Sequence, residues 1–301
     1  MRENKGFLSG LWQILYPSFT YLGISYLVSF LFSFVASART MAALLQNGQE
    51  IVLQEMLEET MVYYSSMLYE MTFVSALLTL PVLALYRRKD LRKEKEQGTL
   101  HIYEPVAAGH YMAAFMLGCV SCLLLNNLIS YSGLMELLYE GYADVEEVLF
   151  QGNFLIELAA TGILIPIVEE LLFRGLVQNR MKRYGSSVMA IFMSSLFFAS
   201  FHGNMLQGIY SFILGLLLAY FYERYHSLLA PILIHCGANL MSVLATETSV
   251  LDFFYESEGI FLIFTVALAG LFLLCFYLMY TYVYPREITT QTDAESPEQQ
   301  A

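Results

Sequence analysis

A bundle of about eight membrane-spanning helices is the all-α fold class this sequence predicts, and three observations predict it. Of the 301 residues, 57% are hydrophobic and 14% charged, with a mean hydropathy of +0.55. Soluble domains carry about 25% charged residues, so the composition belongs to a membrane protein. A bilayer-spanning helix needs roughly 20 predominantly apolar residues. Eight stretches meet or approach that length: 11–36, 67–86, 106–130, 153–173, 187–203, 206–222, 228–245 and 260–284. The third observation is where the basic residues fall, which is taken up once the stretches are in place.

The first stretch follows MRENKG and ends in ASA (36–38), as a signal peptide would. Its apolar run is about twice the usual 7–15 residues of such a segment, so an uncleaved first helix is expected. Acidic QEMLEE (54–59) separates it from the second stretch, which contains Pro81 and ends in RRKDLRKEK (87–95). The third carries Cys119 and Cys122 as a CxxC inside AAFMLGCVSCLLL. Far from any soluble redox fold, these read as small packing residues rather than a redox or metal motif. After acidic ELLYEGYADVEE (136–147), the fourth stretch contains Pro166 and ends in PIVEELLFRG. Polar VQNRMKRYG (177–185) then leads through Gly185 to the fifth stretch. The fifth and sixth are short and closely spaced. RYHS (224–227) turns into the seventh, and acidic ETSVLDFFYESE (247–258) leads to the eighth. The polar tail TTQTDAESPEQQA (289–301) has the composition of a disordered segment.

Cytoplasmic loops are enriched in Lys and Arg. With the N-terminus inside, Arg2, Lys5, the 87–95 run, Arg174, Arg180, Lys182, Arg183, Arg224 and Arg286 fall inside. Only Arg39 of the 15 basic residues falls outside, and the outer loops are acidic. Both termini are therefore expected in the cytoplasm, in the plasma membrane if the source is bacterial. The net charge of −12 argues against nucleic-acid binding. The chain reads as one multi-pass unit: a three-helix N-terminal region (1–150), a core (151–245), a last helix (246–288) and the tail (289–301).

Charge in mid-membrane is costly, at about 2.5–3.5 kcal/mol per residue on insertion scales, and such residues face a cavity or a partner. Three sites bear or approach that cost: Glu169, Glu170 and Arg174; His202; and His235 with Asn239. Residues i and i+4 share a helix face whereas neighbours diverge by about 100°. Glu170 and Arg174 are thus placed for an ion pair, and Glu169 is left on another face. His235 and Asn239 share a face, as do Phe198 and His202. Glu169 lies 16 residues before Gly185 and His202 lies 17 after it, so an antiparallel pair sets them at similar depth. The same reckoning leaves His235 shallower unless the first hairpin projects into the cytoplasm, which VQNRMKRYG (177–185) is polar enough to do. One spare carboxylate, two imidazoles and an amide form a hydrolase inventory: a general base towards water, and donors for an oxyanion.

These residues resemble the signature of the CPBP (Abi) family of intramembrane proteases, which includes the type II CAAX prenyl endopeptidases. The family carries E-E-x-x-x-R, F-x-x-x-H and H-x-x-x-N or H-x-x-x-D. Here they read Glu169-Glu170-LLF-Arg174, Phe198-ASF-His202 and His235-CGA-Asn239, in order, within about 150–245. The resemblance implies a catalytic core over 151–245 and an endopeptidase acting near the cytoplasmic face, through a cavity open to the cytoplasm. Its substrates would be membrane-associated or lipid-anchored peptides or proteins. By the same resemblance Glu169 would activate water, His202 would orient it, and His235 with Asn239 would stabilise the oxyanion. Glu170 and Arg174 would be supporting residues, with Phe198 beside them. No cofactor is favoured. A zinc site of Glu169, His202 and His235 is the alternative, since two His and one Glu form a known catalytic ligand set. Two other functions use similar residues: an ion or small-molecule transporter, and a non-catalytic membrane immunity or regulatory partner.

Overall fold

The computed structural model describes residues 6–46, 52–103, 106–134 and 153–281. The acidic segment 136–147, residues 282–284 of the last stretch, the tail, and Arg2, Lys5 and Arg286 lie outside the described residues. The described secondary-structure elements are all helices. They are α1 (Phe7–Gln46), α2 (Leu53–Ser66), α3 (Leu68–Glu96), α4 (Ala108–Tyr131), α5 (154–181), α6 (Ser187–Ala199), α7 (Met205–Tyr225), α8 (Leu229–Glu247), a 3-10 turn (Ser249–Tyr255) and α9 (Glu258–Thr281).

Six of these helices, α1, α3, α4, α7, α8 and α9, are long and apolar enough to cross a membrane. The two other stretches expected to cross, 153–173 and 187–203, take different forms. Helix α6 has 13 residues, about 20 Å at 1.5 Å per residue, against a hydrocarbon core of about 30 Å. Helix α5 is a run of short helical pieces. It is α-helical over Phe154–Ala159, π-helical over Ala160–Leu164, α-helical over Ile165–Glu170 and π-helical over Leu171–Gln178, and it ends in one more α turn.

Pro166 accounts for the first widened turn. It lacks an N–H, and its ring crowds the carbonyl four residues earlier. A wider turn just before it relieves both problems. The second widened segment contains no proline. It coincides with side-chain bonds from Arg174 and Gln178 to α7. The start of α5 is set by Asn153, whose side chain accepts from the N–H groups of Leu155 and Ile156.

Two apolar clusters meet along α5. One joins α1, α3, α5 and α6 through Ile14, Leu83, Leu172, Phe173, Leu176 and Phe198. The other joins α4, α7, α8 and α9 through Leu117, Leu218, Phe221, Ile234, Ala238 and Met279. Small residues let α4 and α8 cross closely. A Cβ on Gly118 would lie 1.8 Å from the Ile234 carbonyl oxygen, and one on Gly237 2.2 Å from that of Phe115. Membrane helices use such residues because lipid tails supply little drive for helices to associate, so packing must. Cys119, Cys122, Cys236 and Cys275 are buried free thiols, so the CxxC is part of this packing.

The charged ends of the bundle are separated. Arg180 of α5 pairs with Asp90 of α3 at 2.7 Å, Arg183 with Glu94 at 3.2 Å, and Lys182 with Glu223 of α7 at 3.0 Å. The basic run of α3, the end of α5 and the end of α7 therefore share one end of the molecule. The opposite end holds the start of α3, the end of α4, the start of α7, the end of α8 and the 3-10 turn. Acidic QEMLEE, expected as loop, is part of α2, which buries none of its residues and is joined to α1 by Arg39 over the Tyr63 ring at 4.1 Å.

Candidate functional site

The site lies at the seam between the two clusters, where α5, α6, α7 and α8 converge. Glu170 and Arg174 have side chains with no solvent exposure, and Arg174 Nη1 donates to Glu170 Oε1 at 2.9 Å. The guanidinium also donates to the Gly215 carbonyl of α7 at 3.0 Å and lies 4.6 Å from the centre of the Phe198 ring. One turn further on, Gln178 bonds the Ala219 carbonyl and Glu223. Gly215 makes this fit possible, because a Cβ there would press on Phe198 and Ser195. A buried ion pair of this kind fixes the register of α5 against α7, since either charge alone would be stranded in the interior.

His235 of α8 completes the group. Its Nδ1 lies 2.8 Å from Glu170 Oε1, and because a carboxylate only accepts, Nδ1 carries the proton. That leaves Nε2 turned towards Glu169, whose Oε2 is 3.7 Å away. The two adjacent carboxylates are thus used differently. Glu170 is engaged through Oε1 by both Arg174 and His235 and is fully buried, while the Glu169 side chain keeps 12% exposure. The expectation that Glu170 pairs with Arg174 and frees Glu169 holds. The level of His235, which spacing leaves open, is set by α5 and α8 running antiparallel here, and His235 sits level with Glu170.

Phe198 links the two imidazoles. Its ring meets His202 edge-on at 4.9 Å and His235 at 5.6 Å. His202 Nδ1 lies 3.1 Å from the Phe198 carbonyl oxygen, which fixes the proton on Nδ1 and leaves Nε2 as the acceptor nitrogen. Asn239 donates from Nδ2 to the Thr161 carbonyl, 2.9 Å away in the first widened turn of α5.

A cavity of about 720 Å³ opens beside these residues, lined by His202, Asn239, Glu157, Tyr69, Gln207 and Tyr210 among others. His202 and Asn239 reach it. Glu169, Glu170 and His235 do not line it, so His235 and Asn239 share a face without sharing the cavity. Glu157, a carboxylate in the cavity wall, was not among the residues the sequence singled out. Its only signal there is a charge within FLIELAATG.

The cavity is bounded by the start of α3, the end of α4, the start of α5 and α7, and the end of α8. This is the end opposite the basic residues. A cytoplasmic basic end and a mouth of this cavity open to the cytoplasm therefore cannot both hold. Among the described residues, no three His, Cys, Asp or Glu side chains, Glu169, His202 and His235 included, converge as a metal site.

Residues 145–241 match the family model described as type II CAAX prenyl endopeptidase Rce1-like. No curated protein and no solved structure matches the chain. The matched segment contains all three motifs, with Glu169, Glu170, Arg174, Phe198, His202, His235 and Asn239. Over those residues, within a multi-pass helix bundle, the chain is similar to the CPBP/CAAX protease family.

Proposed function

We propose that this protein hydrolyses peptide bonds in membrane-associated peptides or protein termini, with Glu169 activating the attacking water. The observation that carries the reading is the division of labour between neighbouring carboxylates. Glu170 is fully buried with Oε1 held by Arg174 and His235, whereas Glu169 is partly exposed and faces His235 Nε2 across 3.7 Å. A polar gap above about 3.5 Å suits a bridging water. In the proposed step Glu169 takes a proton from that water as its oxygen attacks the substrate carbonyl. The tetrahedral intermediate collapses, the C–N bond breaks, and the proton passes to the leaving amine.

His202, whose Nε2 is an acceptor, holds the water from the cavity side. Asn239 commits one of its two amide hydrogens to Thr161 and keeps the other for the oxyanion, and His235 supplies the second donor when it is protonated. Arg174 and Glu170 position His235 and do not touch substrate. The reading takes the reaction to be metal-free, because Asn239 is a poor zinc ligand and the ring nitrogens belong to separate helices.

Keeping the basic end in the cytoplasm, as positive charge in membrane proteins favours, puts the cavity mouth on the opposite face. Substrate then enters from that face. The experiment is a host lacking the protein, complemented with wild type or Glu169→Gln at matched membrane levels, with membrane and secreted peptides compared by mass spectrometry. Products present with the wild type alone are expected. Identical peptide profiles, with any deletion phenotype rescued by both forms, would remove the catalytic role and leave a binding partner.

A further inference from the structure

Glu157 is a second membrane-level carboxylate that the proposed hydrolysis does not use. It is 7% exposed and forms part of the cavity wall. The Tyr69 hydroxyl of α3 donates to it, and Glu247 at the end of α8 acts on it electrostatically. Among the described residues, no Lys or Arg lines the cavity. The remaining polar wall is rich in acceptors: Asn126, Ser130, Thr161, Gln207 and Ser242.

Burying a carboxylate without a cation is unfavourable. Elsewhere in this protein buried acids have been given one: Glu170 has Arg174, and Asp90 has Arg180. Glu157 is instead placed where a cation could arrive from outside. The rim favours that arrival, since Glu247, Asp252, Glu256 and Glu258 follow one another at this end of the bundle. Clefts lined by one sign of charge raise the local concentration of the opposite charge.

We propose that the cavity holds a positively charged segment of the peptide substrate, a Lys or Arg side chain or a free terminal ammonium, with Glu157 as its anchoring carboxylate. The inference rests on the peptidase reading for the word substrate, but the binding itself does not depend on cleavage. The amides, hydroxyls and single carboxylate suit the charged head of a Lys or Arg side chain, and Leu68, Ile129, Leu206 and Val243 of the same lining suit its aliphatic stem. The cation would sit on the same cavity wall as Thr161, whose carbonyl is bonded to Asn239. Specificity would therefore be read one helical turn from the proposed oxyanion donor.

The test uses the full-length protein carrying Glu169→Gln, in phosphatidylcholine nanodiscs, with fluorescent N-myristoylated peptides identical except for four Lys, four Gln or four Glu. The Lys peptide is expected to bind at least tenfold tighter than the other two. Adding Glu157→Gln, which keeps a hydrogen-bond acceptor for Tyr69, should abolish the difference, and Glu157→Asp should retain most of it. Equal binding of the Lys and Gln peptides, or a preference that survives Glu157→Gln in a protein of unchanged melting temperature, would overturn the proposal. So would loss of the preference on replacing choline chloride by sodium chloride at constant ionic strength, which would mark an inorganic-cation site. Cleavage by the Glu169-containing protein is scored separately. Charge-selective binding without cleavage supports this site and sinks the peptidase reading, whereas cleavage with charge-blind binding does the reverse.

Discussion

Replacing Glu170 by Gln should destabilise this protein far more than the same change one residue earlier. Glu170 Oε1 takes both the Arg174 Nη1 hydrogen bond at 2.9 Å and the His235 Nδ1 contact at 2.8 Å, with no solvent exposure on either member of the ion pair. An amide keeps the shape and one acceptor but removes the charge, leaving the Arg174 guanidinium uncompensated in the interior. Breaking a buried pair in this way costs about 3–5 kcal/mol. At about 2–4 °C per kcal/mol for a chain of this size class, melting should fall by roughly 10 °C. Glu169→Gln alters a group with 12% exposure and a nearest charged partner at 3.7 Å, so its effect should stay within about 1 kcal/mol. The four free cysteines are buried, so a thiol-reactive fluorogenic dye reports unfolding of the detergent-solubilised protein without any added label. Equal melting for the two variants, or a larger loss in Glu169→Gln, would refute the assignment of Glu170 to structure and Glu169 to chemistry.

Arg174→Lys should cost about 1–3 kcal/mol in the same assay, because an ammonium cannot span Glu170 and the Gly215 carbonyl while lying over Phe198. Gly118→Ala should sharply lower the amount of folded protein in the membrane, because its Cβ would meet the Ile234 carbonyl at 1.8 Å. Gly109→Ala has open space at its Cβ and should leave that amount unchanged. Proteolysis should persist in strong chelators at the wild-type rate, measured on any product found by the peptide comparison; loss restored by added zinc would reverse the metal-free reading. A membrane-impermeant maleimide applied to intact cells should label Ser130→Cys at the cavity mouth and spare Arg183→Cys at the basic end. The opposite pattern would restore a cytoplasmic mouth.

Much of the site could be read in the sequence because its key relations are local. Glu170 with Arg174 and Phe198 with His202 each depend on one helical turn, and the level of Glu169 with His202 on one short hairpin. The contact between His235 and Glu170 spans 65 positions, and its depth depends on how steeply α8 crosses α5, which spacing alone does not encode. Glu157 gave no recognisable pattern because its significance comes from Tyr69 and the cavity, both contributed by other helices. The widened turns of α5 were equally hidden: Pro166 marks one, and the other has no signal in Leu171–Gln178. Helix α2 was read as a loop on its acidity, yet LQEMLEETMVYY has Leu53, Met56, Leu57 and Met61 at helical spacing. Six helices among the described residues are long and apolar enough to cross, since 187–203 folds as a short α6 and 153–173 lies in the subdivided α5.

Helix α1 has a geometric consequence for the shape of the bundle. Its 40 residues make a rod of about 60 Å, against a hydrocarbon thickness of about 30 Å. Absorbing that excess by leaning alone would take an inclination near 60°, beyond the 0–40° seen for membrane helices. Its beginning is tied to the basic end through Arg180, which bonds the Gln13 carbonyl and the Tyr16 hydroxyl. The surplus therefore emerges on the other side, braced by α2, which runs directly into the first residues of α3 at the cavity wall. The bundle is therefore lopsided: flush with the apolar slab where α3, α5 and α7 end, it carries a two-helix projection beyond it where α3 begins.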